Sequence, residues 1–536
     1  MKRSKVWLLC AVIGACVSAF AQKAPLKIGW AMESIDPGKN SIMPGYGYFR
    51  PSQGIIDPIY ATALVLDNGK ESVIFVSLDI ISSRDILAKV HKIVPELAPE
   101  LPVDRFFINA THTHSSINVY YPMTGVPAEL GLMDSEDIKN MIAGKIVAAA
   151  KKAWANRKNG KIAYGYGLGA TSFNRRNVYA DDLSKRPKGQ YGSTTPYAGH
   201  AVILGKTGDD KFEGWESGSE NFINFLFTYD MNDKLTGCII NAPVTAQIYS
   251  GHMRKYTSDF WHDVREIFKK KYPGVYILPQ VSGAGDTIPF HVHNKEAEKR
   301  RIAMKYDKKV LDAYGKKCSY KGIPEGWEEY LAYRKGMCMD MAERIFSIFE
   351  DTYKWASKSK QNEVVLRYKL LNLNLTPTPI TAAHVAKAKA TLEKYQKVPY
   401  KTDGTLMERG EFNFNRTKAI NNAKLTLKRA AHYKKGGKYA TEARLVRVGD
   451  IAFASNAFEL FMDYMHRIQG RSPFVQTFVV ELSGVAKGNP IAGYLPTERA
   501  EKNRGYSATL NQCPVSSKGG QELVDATVEG LKELYK

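Results

Sequence analysis

Outside its first two dozen residues this chain has no run of 18 or more apolar residues. That excludes a helical membrane span from the remainder. Cysteine is scarce: there are six in 536 residues, and Cys10 and Cys16 fall in the apolar leader. Cys238, Cys318, Cys338 and Cys513 are widely and irregularly spaced, with no CxxC, which excludes a zinc knuckle. Three pairings stay open, with Cys318–Cys338 favoured because both lie in one helical region; free buried thiols are the alternative. No internal repeat, low-complexity linker or clear domain break interrupts the chain. Acidic residues are short, 54 against 76 lysines and arginines, leaving a formal charge of +22. Such a surface favours anionic partners: lipid headgroups, acidic glycans or nucleic acid. The basic residues are scattered, with a denser stretch from Lys295 to Lys317.

What is present fits an ordinary globular protein, 44% hydrophobic and 24% charged. Lys2, Arg3 and Lys5 precede an apolar run from Val6 to Val17 and an A-x-A site at Ala19-Phe20-Ala21. This is the pattern of a cleaved signal peptide over residues 1–21, with a mature start at Gln22. Ile13-Gly14-Ala15-Cys16 loosely matches a lipoprotein box that would anchor the chain through Cys16, but the A-x-A site is better formed. The expected location is therefore secreted or periplasmic, and export argues against nucleic acid.

Apolar runs of strand length predict strands at Leu26–Trp30, Tyr60–Leu66, Val73–Asp79 and Phe106–Ile108. A helix over Asp85–Val94 joins the last two as a βαβ-like unit. Helices are expected at Asp134–Trp154, Asp259–Lys270, Thr381–Tyr395, Arg416–Tyr433 and Phe458–Gln469, with a helix-rich stretch over 293–358. Further strands are expected at Lys161–Tyr166, Phe222–Thr228, Leu235–Asn241, Val275–Leu278, Val364–Leu375, Ala443–Val448, Ile451–Ser455 and Phe474–Glu481. Phe173–Asn177 reads as a polar loop. The class is α/β with a mixed sheet and helical insertions, in one domain over 22–536.

The chemistry-bearing stretch is Arg105–Ser116, RFFINATHTHSS. A buried strand runs into Thr111-His112-Thr113-His114, and open α/β sheets place their chemistry at the carboxyl ends of strands. Residues i and i+2 of an extended chain face the same way, so His112 and His114 can meet in one cavity. Two imidazoles with flanking hydroxyls suit a divalent metal or a proton-transfer pair. A glycine-rich loop, Gly283-Ala284-Gly285-Asp286, follows another strand end.

Taken in order, these segments resemble the neutral/alkaline (non-lysosomal) ceramidase family. The matching segments are Gly54–Leu66, Val73–Asp79, Ala110–Ser115, Asn174-Arg175, Ser258–Gln280 and Gly283–Asp286. Near the C-terminus they are Val448–Ala452, Glu459 and Gly493–Thr497. The resemblance implies a secreted zinc amidase that cleaves an N-acyl bond in a sphingolipid. Carried over residue by residue, it makes His112, Glu459 and Tyr494 metal ligands, His114 the proton carrier and Arg175 the site arginine. The family's other tyrosine in this neighbourhood falls at Ile491. Asp286 would orient a ligand or the water.

Two departures alter that expectation. The family's second zinc histidine falls at Thr245, and its site serine at Ile288. A neutral hydroxyl is a poor zinc ligand, and isoleucine offers no nucleophile. His252, His291 or His293 could supply the missing imidazole. The family's C-terminal β-sandwich has no counterpart before residue 536. The expectation is therefore a zinc-dependent hydrolase of an amide or related bond, with a substrate other than ceramide. The alternative is a non-catalytic exported lipid- or glycan-binding protein on the same scaffold.

Overall fold

The computed structural model describes residues 23–187, 199–249, 251–489 and 493–536. The signal segment 1–21, with Cys10 and Cys16, and Ile491 lie outside the described residues.

One sheet has eight main strands. They are β1 (Lys27–Ser34), β2 (Tyr60–Asp67), β3 (Ser72–Leu78), β4 (Phe106–Ala110), β5 (Lys158–Leu168), β6 (Phe222–Asp230), β7 (Leu235–Ala242) and β8 (Tyr276–Val281). Their spatial order is β8-β7-β6-β5-β1-β2-β3-β4. A second sheet holds β9 (Leu366–Leu375), β10 (Tyr439–Val448), β11 (Ile451–Ser455) and β12 (Gln476–Val480), in that order. The helices are α1 (Ile86–Leu97), α2 (Ser135–Ala155), α3 (Phe260–Lys271), α4 (Lys295–Lys305), α5 (Lys308–Cys318) and α6 (Trp327–Ala356). There follow α7 (Ala382–Lys397), α8 (Leu406–Lys434), α9 (Met462–Arg471), α10 (Glu498–Asn503) and α11 (Ser517–Tyr535).

The topology is one pattern used three times. Strands β1, β2 and β3 form an antiparallel meander, α1 crosses over, and β4 returns parallel to β3. Strands β5, β6 and β7, helix α3 and strand β8 repeat this arrangement. So do β9, β10 and β11, helix α9 and strand β12. Each unit then adds a second helix, α2, α6 or α11, packed on its crossover helix and on its own first strand. The sequence shows no such repeat, because hydrophobic pattern alone is enough to rebuild the unit.

Burial follows the pattern. Strand β3, SVIFVSL, is buried from Val73 to Leu78 because apolar layers cover both its faces. The two sheets face each other across one core, where Phe75 lies 4.8 Å from Phe453 between ring centroids. Helices α1 and α2 cover the outer face of the first unit, α3 and α6 the second, and α9 and α11 the third. The result is an α/β/β/α layering in which the carboxyl ends of β4, β8 and β11 feed the same region.

Several sequence expectations shift. Helix α8 begins at Leu406, ten residues before Arg416, because Thr405 and Glu408 form a capping box. Phe173–Asn174 and Arg176–Tyr179 are short strands, since they pair with Thr287–Ile288 and with Phe212–Trp215 and Ala201–Ile203. Helix α9 starts at Met462, and Glu459–Leu460 is extended because it pairs with Tyr494-Leu495. Cys318 and Cys338 are not bonded; all four described cysteines are free and buried. Among the described residues no helix is long and apolar enough to cross a membrane.

Candidate active site

The site is built from loops of all three units. Strand β4 delivers His112, which is 3% exposed and holds a left-handed φ of 61°. That conformation costs a residue other than glycine on the order of 1 kcal/mol, and the surrounding structure must hold it in place. The imidazole Nδ1 lies 2.8 Å from the Ile81 carbonyl, which only accepts, so Nδ1 carries the proton. The other nitrogen, Nε2, then presents a bare lone pair. It faces Oε2 of Glu459 at 3.5 Å.

His114 stands beside it, with ring centroids 4.8 Å apart in an edge-on arrangement. Both His114 ring nitrogens are buried without a partner. Its backbone is fixed from two directions: its N–H donates to Ala246 O at 3.3 Å, and buried Arg50 donates to its carbonyl. The loop carrying Ala246 is in turn held by Asp259, whose carboxyl accepts from Ile248 N–H at 3.1 Å and Tyr249 N–H at 3.0 Å. Gly45 makes the final approach: a Cβ there would lie 2.4 Å from His114 Nδ1. Burial depresses both imidazoles. His114 sits well below the ordinary value, with the cations of Arg50 and Arg175 and the His112 ring adding to the effect.

Unit three supplies Glu459. Its N–H donates to Gly493 O at 2.9 Å, pairing the Glu459 strand with Tyr494. Arg175 is buried and donates from Nη2 to Gly285 O at 3.0 Å and to the Tyr494 hydroxyl at 3.2 Å; its Nε has no partner. Burial pulls the Arg175 guanidinium down, but Tyr494 and Glu459 outweigh this and leave it raised. Burial also pushes the Tyr494 phenol well up, with the neighbouring Glu459 carboxylate adding to the effect, so it keeps its proton.

Asp286 is one layer further out. It accepts from Met462 N–H at 3.0 Å, at the start of α9, and from Asn174 Nδ2 at 3.2 Å. It positions Arg175 and the Glu459 segment rather than facing the cavity. Burial raises its pKa to about 6.

Thr245 lies in the loop whose next residue, Ala246, bonds Thr111 and His114 on either side of His112. Its hydroxyl is buried and without a partner. Ile288 is buried in the short strand opposite Phe173. His252 stacks on Trp327, while His291 and His293 pack against Phe173 and Trp215. Among the described residues no three His, Cys, Asp or Glu side chains group for a metal ion, so these histidines do not join His112 and Glu459.

The donor set can be tested against a cation by its chemistry. Two acceptors, His112 Nε2 and Glu459 Oε2, confront each other in a buried place, and only a shared proton or metal ion makes that favourable. The pair fits a divalent ion, with the Tyr494 oxygen as a third and weaker donor. It offers two strong donors where catalytic zinc sites use three.

Glu481 is a site residue that sequence reading leaves out. It is 1% exposed and directly follows strand β12. One oxygen accepts from Leu460 N–H at 2.7 Å and Ala284 N–H at 3.1 Å; the other is buried and free. Burial pushes its carboxyl well up. An acid at the end of the apolar run Phe478-Val479-Val480 is the signal that could have revealed it.

No family model matches the sequence. No curated protein sequence matches it either. Solved structures do match in shape. The neutral ceramidase from Pseudomonas aeruginosa superposes with a TM-score of 0.61 at 16% identity, over 96% of this chain and 75% of that one. A structure described as ceramidase complexed with C2 gives 0.59 at 15% identity, over 95% and 76%. The chain therefore has a mixed α/β, ceramidase-like fold.

Proposed function

We propose that the chain is an exported metal-dependent hydrolase of an amide (N-acyl) or related bond, with a substrate other than ceramide. The observation that carries this is the confrontation of His112 Nε2 with Glu459, beside an unpartnered neutral His114 and the Arg175 guanidinium. His112, Glu459 and Tyr494 would hold the ion, zinc by the family resemblance. When bound, it would lower the pKa of a water and polarise the acyl oxygen. His114 is the general base, because its depressed pKa keeps it neutral and both its ring nitrogens are free. Arg175, whose Nε has no protein partner, would meet negative charge developing on the acyl oxygen. Ile288, buried where the family has serine, removes one hydroxyl from the site and supports a different substrate.

The presence of only two strong donors favours a second reading, an exported lipid- or glycan-binding protein on this scaffold. Metal content per chain of the purified mature protein, beside His112→Ala, separates the two. About one zinc per wild-type chain, lost in the variant and accompanied by release of fatty acid from an N-acyl panel, supports the hydrolase. No metal after zinc is supplied at neutral pH supports the binding protein.

A further inference from the structure

A cavity of about 250 Å³ opens beside Glu459 and Tyr494. It is small against the ~300–1,000 Å³ of most ligand clefts, and ceramide carries two long alkyl chains. Its lining includes two arginines, Arg84 and Arg429, and the tyrosines Tyr120, Tyr433 and Tyr506. The Arg429 Nη1 donates to Leu510 O at 3.2 Å, while its Nε and Nη2 are buried without a partner. Arg84 lies with its guanidinium carbon 3.2 Å from the Tyr120 ring centroid. Neither has an acidic partner within ion-pair distance among the described residues. Arg84 also holds a left-handed φ of 35°, and the neighbouring Leu482, which accepts from the Ser83 hydroxyl, one of 56°. Strain of this kind gathers where a side chain must be aimed. The one acid in the lining is Glu459, which faces His112.

The hairpin that supplies one wall has the same sign. The α7–α8 hairpin, residues 382–438, carries fourteen lysines and arginines against four acidic residues. Helix α8 supplies Leu425, Arg429 and Tyr433 to the cavity wall. Lys387, Lys389, Lys424 and Lys428 of the same hairpin are exposed. A cleft lined by charges of one sign concentrates ions of the other. Buried guanidinium N–H groups left unpaired are costly until an anion arrives, and their planar fork matches an oxyanion.

We infer that the substrate is a small acyl compound bearing an oxyanion head group, carboxylate or phosphate, which Arg84 and Arg429 receive beside Glu459. The bond-cleaving part rests on the proposed hydrolase; the recognition does not. The test is calorimetric titration of the mature chain with three compounds on one skeleton: N-octanoylglycine, N-octanoyl-2-aminoethyl phosphate and neutral N-octanoylethanolamine. At least one anionic compound should bind tenfold or more tighter than the neutral one, less so in high salt. Arg84→Gln and Arg429→Gln should each remove most of that preference, and Arg429→Lys should keep much of it with an unchanged melting temperature. The carboxylate and phosphate arms identify the head group. Equal binding of all three, binding of none, or indifference to both glutamine variants overturns the inference. Anion-selective binding without octanoate release keeps the inference and rejects the hydrolase. Equal release of octanoate from neutral and anionic compounds does the reverse.

Discussion

His112 Nε2 and Glu459 Oε2 stand 3.5 Å apart with no hydrogen on the imidazole nitrogen, because the His112 proton is committed to Ile81 at Nδ1. The arrangement brings together the carboxyl end of a strand in the first topological unit and the loop after a strand in the third. Thr245, from the second unit, contributes only an orphaned hydroxyl. Replacing it with histidine should supply the third strong donor. Thr245→His is expected to tighten zinc binding at least ~10-fold in chelator competition, while His112→Ala and Glu459→Gln each weaken it by about 10–100-fold or more. Unchanged affinity in Thr245→His would mean that the second unit does not face the ion.

His114 is neutral because it is buried and ringed by cations. Its base form should therefore persist below the ordinary imidazole value of about 6.5. For hydrolysis of a cleaved N-acyl compound, kcat/KM should stay flat from about pH 8 down through that value, with the acid limb lower. His114→Ala should cost on the order of 100-fold or more in kcat. Gly45→Ala should do comparable damage by pushing the ring, since Gly45 has φ of 105° as well as the 2.4 Å approach. A limb centred near pH 6.5 would contradict the buried, neutral base.

Arg175 and Arg176 are adjacent in sequence but have separate tasks. Arg176 is fully buried and forms a two-pronged pair with Glu216 at 2.6 and 3.0 Å, and it also donates to the Tyr506 and Arg504 carbonyls at 2.6 Å. Arg176→Ala strands Glu216 in the interior and should cost about 3–5 kcal/mol in urea unfolding. Arg175→Ala should leave most of that stability and lower kcat by about 100-fold or more, because its Nε is aimed at no protein acceptor. Matched stability losses in the two variants would reject this division of roles.

The sequence makes the strands legible where burial is two-sided, as in Val73–Leu78 and Phe106–Ala110, since such runs must be apolar throughout. It also points to His112 and His114, because a polar cluster at the end of a buried strand has few structural uses. It does not reveal the threefold topology: equivalent loops such as Thr111–His114 and Gly283–Asp286, each following the fourth strand of its unit, share position and no residues. Arg84 and Arg429 stay hidden as well, since nothing in a helix or turn sequence marks a guanidinium that faces a cavity 345 positions away. The strand at Glu459 depends on pairing with Tyr494, a contact that local propensity cannot contain.

Glu481 ties the second and third units together through Ala284 and Leu460 while keeping its other oxygen buried and free. Burial raises its folded pKa well above the unfolded value. The unfolded chain therefore loses this proton first as pH rises, and stability falls between the unfolded value, about 4.3, and the higher folded one. Glutamine keeps a carbonyl oxygen for both N–H groups and has no proton to lose. Glu481→Gln should match the wild type near pH 4 and exceed it in melting temperature by on the order of 2 °C or more at pH 8. Glu481→Ala abandons Ala284 N–H and Leu460 N–H and should be destabilised at both pH values, by about 1–3 kcal/mol. It should also weaken zinc binding, because Leu460 is the residue after Glu459. A Glu481→Gln variant that loses stability more steeply than wild type as pH rises would show that this carboxyl is ionised in the folded protein.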